Sequence, residues 1–279
     1  MQKTTSHNFF GIKMVGQPHW GIVCRVVPYS KSRVSLVAPP PTTMIGALAY
    51  SLARMEKWPE VLMKENNQMS GAERIRGMIK SVHVKLNFSL MEHADIGRVF
   101  WYHYARKEAK FDAVALEKVY VFPLKKERIP LLEAIYIIDS DFAEKLLGEK
   151  WREKLEVAAW TISRIGQKES MITILDVKTS DSIEVFQKVD SEVTTSYYFP
   201  VDAASSIYSP SNDFLITHFV DPISTPYGDY GAAERIGFVI PYSRRESRPI
   251  NLRVIISEKG VVIKAFNTTL ISLRRWIFA

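Results

Sequence analysis

The sequence of 279 residues predicts an α+β fold, and three observations support this prediction. Segments with strand-like and helix-like periodicity follow one another in the order strand, helix, strand, strand, helix, strand. An aromatic and basic segment interrupts this order between the second and third strands. After Lys178 the helical periodicity ends, and short β-rich pieces alternate with turn-rich loops. The order is that of split βαβ folds of the ferredoxin-like and RRM type, here followed by a β-rich C-terminal region.

The first strand is predicted over residues 19–27, because β-branched and apolar residues suit a covered, pleated surface. A polar and basic loop, 28–33, leads to three consecutive prolines at 39–41, which exclude regular pairing and hold the chain extended. Thr42 or Thr43 is predicted to cap the helix that follows. The apolar positions of this helix recur every three or four residues and form one face: Met44, Ile45, Leu48, Leu52 and Met55.

The middle of the chain contains a second predicted helical stretch at 60–79 and then a strand at 81–90, where apolar and polar residues alternate. The segment 91–112 is of another kind, because it concentrates aromatic and basic residues. Strand character returns at 114–122 and again at 134–138.

A helix is predicted over 141–165, with Gly166 in the position of a C-terminal cap. A short apolar strand follows at 171–177. The helix has one apolar stripe, which consists of Trp151, Leu155, Ala158, Ile162 and Ile165.

The change of character after Lys178 predicts a boundary between a domain over residues 1–185 and a β-rich C-terminal region, 186–279. In the second of them, 250–266 resembles a hairpin that turns at 258–260. The chain shows no internal repeat and no low-complexity tract, which argues against a solenoid or a disordered tail.

The composition favours a polyanionic partner. Lysine and arginine number 37 against 30 aspartate and glutamate residues, so the net charge is +7, which favours a partner such as nucleic acid. The sequence contains no run of about 18 apolar residues, so no membrane-spanning segment is predicted. The N-terminus lacks the apolar stretch of a secretory signal, and the single cysteine, Cys24, cannot form an intrachain disulfide. A cytoplasmic location is therefore expected.

Common catalytic and cofactor motifs are missing from the sequence. The six histidines form no HExxH motif and no compact cluster with carboxylates, so neither a metal nor another cofactor is predicted. The chain contains no GxSxG turn and no P-loop, and the glycines at 228–231 do not open a helix after a strand. The sequence motifs therefore give no support to the hypothesis that the protein is an ordinary hydrolase, oxidoreductase or kinase.

Three basic clusters are candidates for RNA binding. The first is a loop after the predicted first strand, where cations and hydroxyls can surround phosphates; its alternative interpretation is a solvated loop. Its residues are Arg25, Tyr29, Ser30, Lys31, Arg33 and Ser35. The second cluster interleaves rings and cations, as single-stranded nucleic acid favours; its alternative is a protruding hairpin that packs on itself or on a protein partner. It consists of Trp101, Tyr102, His103, Tyr104, Arg106 and Lys107.

The third cluster flanks a glycine turn at a predicted helix end. Arg164, Gln167 and Lys168 belong to it. The alternative interpretation is that the two cations only complement the dipole of the helix C-terminus.

Two of these regions resemble one protein family. The segment 32–50, in which the triple proline runs into a Gly-Ala-Leu-Ala helix, is similar to the signature that follows the first strand of the CRISPR-associated protein five family. The segment 164–170 resembles the second motif of that family, and the central insertion between the two motifs also agrees. The resemblance covers the N-terminal two-thirds of the chain and is greatest to the archaeal, type I-A branch.

The resemblance implies a RAMP protein with an RRM-like domain, a subunit of a Cascade effector complex in antiviral defence. Members of the family cap the guide RNA by binding its 5′ handle, and they contact the backbone subunit and the large subunit, with target DNA nearby. An inserted β-hairpin, the thumb, lies between the second and third strands, the interval occupied here by 91–112. The aromatic side chains of the thumb would then grip either RNA or the backbone subunit.

Two other functions stay open. One branch of the family cleaves guide-RNA precursors without metal, and Tyr29, Lys168 and His103 are candidates for the acid, base and cation of that chemistry. No histidine lies beside the 164–170 motif, which disfavours a nuclease. The remaining alternative is a protein-interaction module that makes no direct contact with RNA.

Overall fold

The computed structural model describes residues 8–24, 35–64, 67–103, 106–125, 128–224 and 233–278. Within these ranges the chain contains both helices and strands, and short strands dominate its last third, so the predicted α+β class and the β-rich C-terminal region are confirmed. In the same ranges, no helix is long and apolar enough to cross a membrane.

The N-terminal elements alternate between strands and helices. In chain order they are β1 (Phe9–Pro18), β2 (Gly21–Ile22), α1 (Pro41–Met55), β3 (Val61–Lys64), β4 (Asn67–Ser70), a 3₁₀ helix (Gly71–Ile75), β5 (Ile79–Asn87), β6 (Ser89–His103), β7 (Glu108–Phe122), β8 (Leu131–Asp139), α2 (Ser140–Leu147), α3 (Trp151–Trp160) and β9 (Ile172–Ser180). The elements that follow are nearly all strands: β10 (Glu184–Phe186), β11 (Glu192–Thr195), β12 (Phe199–Pro200), a 3₁₀ helix (Val201–Ala203), β13 (Ala204–Tyr208), β14 (Leu215–Val220), β15 (Arg235–Ile240), β16 (Tyr242–Ser243), β17 (Arg248–Pro249), β18 (Leu252–Ile256), β19 (Gly260–Ala265), β20 (Thr268–Leu273) and α4 (Arg274–Ile277).

A four-stranded antiparallel sheet organises the N-terminal part, with the spatial order β5, β8, β1, β9. In the chain, α1 lies between β1 and β5, and α2 and α3 lie between β8 and β9. Successive strand residues face opposite sides of the sheet. Ile12 of β1 is on the face that packs against the helices, in the cluster that contains Leu48 of α1. Ile135 of β8 is on the other face, in a second cluster with Ile263 of β19. Helices cover one face, and the C-terminal region covers part of the other.

A long hairpin, β6 and β7, leaves this sheet after β5. Its register runs from Ser89 opposite Phe122 to His103 opposite Glu108. Several contacts hold its base to the C-terminal region. Among them, the Tyr242 hydroxyl accepts a hydrogen bond from the Leu90 amide at 3.0 Å, the Ser89 hydroxyl donates to the Ser247 carbonyl at 2.7 Å, and Arg244 pairs with Glu92 at 2.6 Å.

The described residues of the C-terminal region form three three-stranded sheets and the small ribbon of β16 and β17. Its aromatic side chains pack in a continuous series in which Tyr198, Phe219, Phe238 and Trp276 make ring contacts. These four residues belong to the same buried cluster as the helix-covered face of the four-stranded sheet. The two parts of the chain thus share one core.

Two predicted elements of the N-terminal half are wrong. The first strand of the sheet is β1, which lies before the segment predicted for it, and β1 contains two glycines. At Gly16 a Cβ would lie 2.5 Å from the Ile172 side chain, so the packing of a neighbouring strand requires the glycine. The segment 60–79 is not a helix but the ribbon of β3 and β4 followed by a 3₁₀ turn. Gly71 is the first residue of this turn, and its amide donates a hydrogen bond to the Glu60 carbonyl at 2.7 Å.

Three further predictions need correction. The helix predicted at 141–165 is two helices, because Gly148 has φ +80° and interrupts the helical conformation between α2 and α3. Neither threonine caps α1, whose first residue is Pro41 and whose N-cap, Pro40, makes no side-chain hydrogen bond. The segment 250–266 is not a hairpin, because β18 pairs with β11 and β13 while β19 pairs with β10 and β20.

The predicted apolar stripes are nevertheless buried, since burial requires only their spacing and not an unbroken helix. The buried residues are Met44, Ile45, Leu48 and Leu52 of α1 and Trp151, Leu155, Ala158, Ile162 and Ile165 in and after α3; Met55 is partly buried.

Candidate nucleic-acid interface

A groove with a volume of about 750 Å³ is lined by residues of α1, of the segment 162–171, and of strands β14 and β15. Three cations line it, Arg164, Lys168 and Arg235, and Glu60 is the single acidic residue among its described lining residues. The groove therefore carries an excess of positive charge. It also joins the two sequence motifs, which are far apart in the chain, because both 40–50 and 164–168 contribute to its lining.

Hydrogen bonds hold the segment 162–171 against the residues on either side of β2. The Gln167 amide donates to the Val23 carbonyl at 3.0 Å, and the Val23 amide donates to the Ser170 hydroxyl at 2.9 Å. The Trp20 indole donates to the Glu169 carbonyl at 2.6 Å. This turn presents Arg164 and Lys168 as exposed side chains, and neither makes an ion pair within the described residues.

Gly166 permits this close approach. Its φ is +109°, and a Cβ there would lie 2.6 Å from the Val23 carbonyl oxygen. We expect Gly166→Ala to lower the free energy of unfolding by about 1–2 kcal/mol, because an L side chain adds both backbone strain and a clash. Urea denaturation measures the change. Gly148→Ala is the matched control, since Gly148 also has positive φ but its Cβ would meet nothing within 4 Å. Equal losses of stability in the two variants would show that the contact with Val23 is unimportant.

The start of α1 packs on a buried polar cluster beneath the groove. The Tyr136 hydroxyl donates to the Met44 carbonyl at 3.0 Å, and the Leu36 amide donates to the Cys24 carbonyl at 2.7 Å. Burial raises the pKa of the Cys24 thiol to about 12, against a smaller lowering by its hydrogen bond with Thr43. Cys24 is thus a neutral packing residue near neutral pH.

Ser35 is the one residue of the first predicted cluster that the structure describes. It is buried; its amide donates to a Glu117 carboxylate oxygen at 2.9 Å, and its hydroxyl accepts from the Cys24 amide at 3.3 Å. It therefore holds the chain to β7, and its predicted contact with RNA stays a prediction. The other members of this cluster lie outside the described residues: Arg25, Tyr29, Ser30, Lys31 and Arg33.

The second predicted cluster lies at the far end of the β6–β7 hairpin. Arg106 and Lys107 are exposed in its turn, and Lys107 has φ +51°. The backbone of 101–103 forms the end of β6, but the side chains of these three residues and all of Tyr104 lie outside what the structure describes. The predicted contacts of Trp101, Tyr102 and His103 therefore stay predictions.

Three lining residues were not singled out from the sequence. Tyr50 is 44% exposed on α1, and His218 and Arg235 come from β14 and β15. Tyr50 lies within the first motif, where its position one turn after Gly46 was an available signal. His218 and Arg235 are in the region without a motif, so only the folded arrangement brings them to the groove.

Metal ligands do not cluster in the described part of the chain, where no group of three His, Cys, Asp or Glu side chains is arranged to hold an ion. The buried histidine, His83, lies away from the groove. Its Nε2 is 2.9 Å from the Ser81 hydroxyl, and burial lowers its pKa to about 4.

No family model matches the chain, but curated proteins and a solved structure do. The CRISPR system aCascade subunit Cas5 1 of Saccharolobus solfataricus is 29% identical over 184 residues, which cover 65% of this chain and 68% of that protein. The CRISPR-associated protein Cas5 3 of the same archaeon is 27% identical over 186 residues, with the same coverage of 65% and 68%.

A solved structure shares the fold. The crystal structure of a CRISPR protein from Archaeoglobus fulgidus superposes with a TM-score of 0.62 at 19% identity, and the match covers 95% of this chain and 99% of that one.

A third relative, CRISPR-associated protein Cas5 2 of S. solfataricus, is 25% identical over 219 residues, or 70% of each chain. The chain, which joins the proline-led motif and the 164–170 motif in one groove, is thus similar to Cas5 proteins of CRISPR systems over about two-thirds of its length.

Proposed function

We propose that this protein is a non-catalytic RNA-binding subunit of a type I CRISPR Cascade effector complex, and that it caps the guide RNA by binding its 5′ handle. The observation that carries the proposal is the groove in which Arg164, Lys168 and Arg235 converge beside the exposed ring of Tyr50. Cations position the phosphates of a nucleic acid, and an exposed ring stacks on unpaired bases. Single-stranded RNA provides both.

We infer that the four-stranded sheet with its helices is the RRM-like domain of the family, within residues 1–185, and that 186–279 is the β-rich C-terminal region. The spatial order of the strands, β5, β8, β1, β9, supports this assignment. So does the position of the helices in the chain, with α1 between β1 and β5 and with α2 and α3 between β8 and β9. The β6–β7 hairpin is the proposed thumb, longer than the 91–112 expected from the sequence. The residues 101–104, Arg106 and Lys107 would contact RNA or a backbone subunit there.

The proposed partners are the guide RNA, the backbone subunit and the large subunit, with target DNA nearby. The name of one relative, a subunit of aCascade from an archaeon, supports a Cascade assembly. The modest net charge of +7 agrees with a subunit that binds a short piece of RNA and buries other surface against proteins.

The experiment compares two RNAs in a gel assay without metal: a full repeat precursor and a mature guide that carries its 5′ handle. We expect handle-dependent binding of the guide and no shortening of the precursor. Cleavage at one position, lost when the 2′-hydroxyl at that position is removed, would instead support the endoribonuclease, for which Lys168 is already in the groove. Absence of binding to either RNA would favour the protein-interaction module.

A further inference from the structure

The floor of the groove is a part of α1 from which large side chains are missing. Gly46 and Ala47 line it, and a Cβ built on Gly46 would meet nothing within 4 Å. No packing contact therefore requires a glycine there, although glycine is less favourable than alanine inside a helix. The empty space lies directly against the helix backbone, where a flat group can approach closely.

An aromatic ring stands next to this space. Tyr50 follows Gly46 by four residues, so the two lie on the same face of α1, one turn apart. Tyr50 lines the groove and is 44% exposed. A ring exposed beside an open helix surface is a platform on which a planar ligand can stack.

A buried hydroxyl also lacks a partner at this place. Ser51 lines the groove and is 4% exposed, and its Oγ makes no hydrogen bond within the described residues. A buried polar atom without a partner is unfavourable, and such atoms are rare in folded proteins. A ligand with a polar edge would supply the missing hydrogen bond.

Cations flank this space from two sides. Arg164 and Lys168 belong to the segment 162–171, whereas Arg235 belongs to β15, which pairs with β14. A nucleotide within single-stranded RNA has these features, because its base is planar with a polar edge and is flanked by negatively charged phosphates.

We propose that Gly46, Ala47, Tyr50 and Ser51 form a base slot that takes one unstacked nucleobase of the bound RNA, with the adjacent phosphates held by Arg164, Lys168 and Arg235. This proposal rests on the proposed RNA-binding function and deepens it, because it assigns one base to one place on the protein. The C-terminal region completes the site, since Arg235 lies on β15.

The test is an abasic scan of the mature guide RNA. One nucleotide at a time in the 5′ handle is replaced by an abasic analogue, and the affinity of the full-length protein is measured by fluorescence anisotropy. We expect one position at which removal of the base weakens binding by roughly 5- to 150-fold, the range for stacking of one base on an aromatic ring. Its neighbours should be much less sensitive.

Variants then connect that position to the slot. Gly46→Leu fills the slot and Tyr50→Ala removes the ring, so each should abolish the abasic penalty at this one position, while Tyr50→Phe should restore most of it. Tyr208→Ala is the matched control, because Tyr208 is 48% exposed outside the groove, and it should leave the penalty unchanged. Thermal unfolding of each variant checks that it is folded.

Each outcome separates the slot from the wider function. RNA binding without a sensitive position, or a penalty that persists in both Gly46→Leu and Tyr50→Ala, would overturn the slot and leave the proposed RNA-binding function standing. Failure of the unmodified protein to bind the guide would contradict both proposals.

Discussion

Replacement of Arg164 and Lys168 together by glutamate is expected to weaken binding of the guide RNA by about 10- to 100-fold at low salt. Each substitution removes a charge-assisted bond to a phosphate and adds repulsion in the groove. The dependence on salt should change as well, because fewer counterions are released. For single strands the slope of log K against log salt should become shallower by about 0.7 for each phosphate that the protein no longer neutralises, so by about 1.4 here.

The measurement is a salt titration of RNA affinity, repeated with a variant of equal net charge. Lys178→Glu combined with Lys259→Glu is that control, since both lysines are exposed, at 66% and 72%, and lie outside the groove. The control should retain most of the affinity and its salt slope. If both double variants bind the guide equally weakly, the binding depends on overall charge and the groove is not the site.

Acidification is expected to destabilise the protein through His83, by about 2 kcal/mol between pH 7 and pH 5 and about 3 kcal/mol once titration is complete. Burial lowers the pKa of this histidine from 6.5 to about 4. The unfolded chain therefore binds the proton more tightly than the folded chain does. Stability is fully present above pH 6.5, falls as the pH decreases toward 4, and changes no further from this group below that value.

Urea denaturation at several pH values, on the unmodified protein and on His83→Gln, isolates the contribution of this residue. Glutamine can hydrogen bond with the Ser81 hydroxyl, which is 2.9 Å from His83 Nε2, but it does not titrate. The variant should retain the pH dependence that comes from carboxylates such as Glu133, whose pKa is lowered: burial acts to raise it, and Lys13, Lys85 and Tyr197 together outweigh that effect. If the two proteins have the same pH dependence, His83 is protonated without cost in the folded state.

The helix-rich part of the fold was predictable because its periodicity is local. The apolar stripe of α1 and the stripe that ends at Ile165 are both buried, and the alternation at 81–90 corresponds to β5. β1 was missed because Gly11 and Gly16 weaken its strand pattern, and their place in a strand depends on side chains from distant parts of the chain. At Gly11 those side chains are Ile183 and Phe266.

The candidate site was predictable only in part, and for a similar reason. Arg164 and Lys168 stand in a recognisable motif, so the sequence indicated them before the groove was known. Ser35 belongs to the other motif, yet its hydroxyl is occupied by the Cys24 amide, and burial of this kind leaves no trace in a local pattern.

The sequence by itself determined the class of the fold, the two motifs and the family resemblance, because each of these depends on residues that are neighbours in the chain. Only the tertiary structure decided that both motifs line one groove, that β14 and β15 bring His218 and Arg235 to it, and that open space lies over Gly46. These features arise where segments distant in the chain pack together, and their contacts are formed only when the shared core is complete.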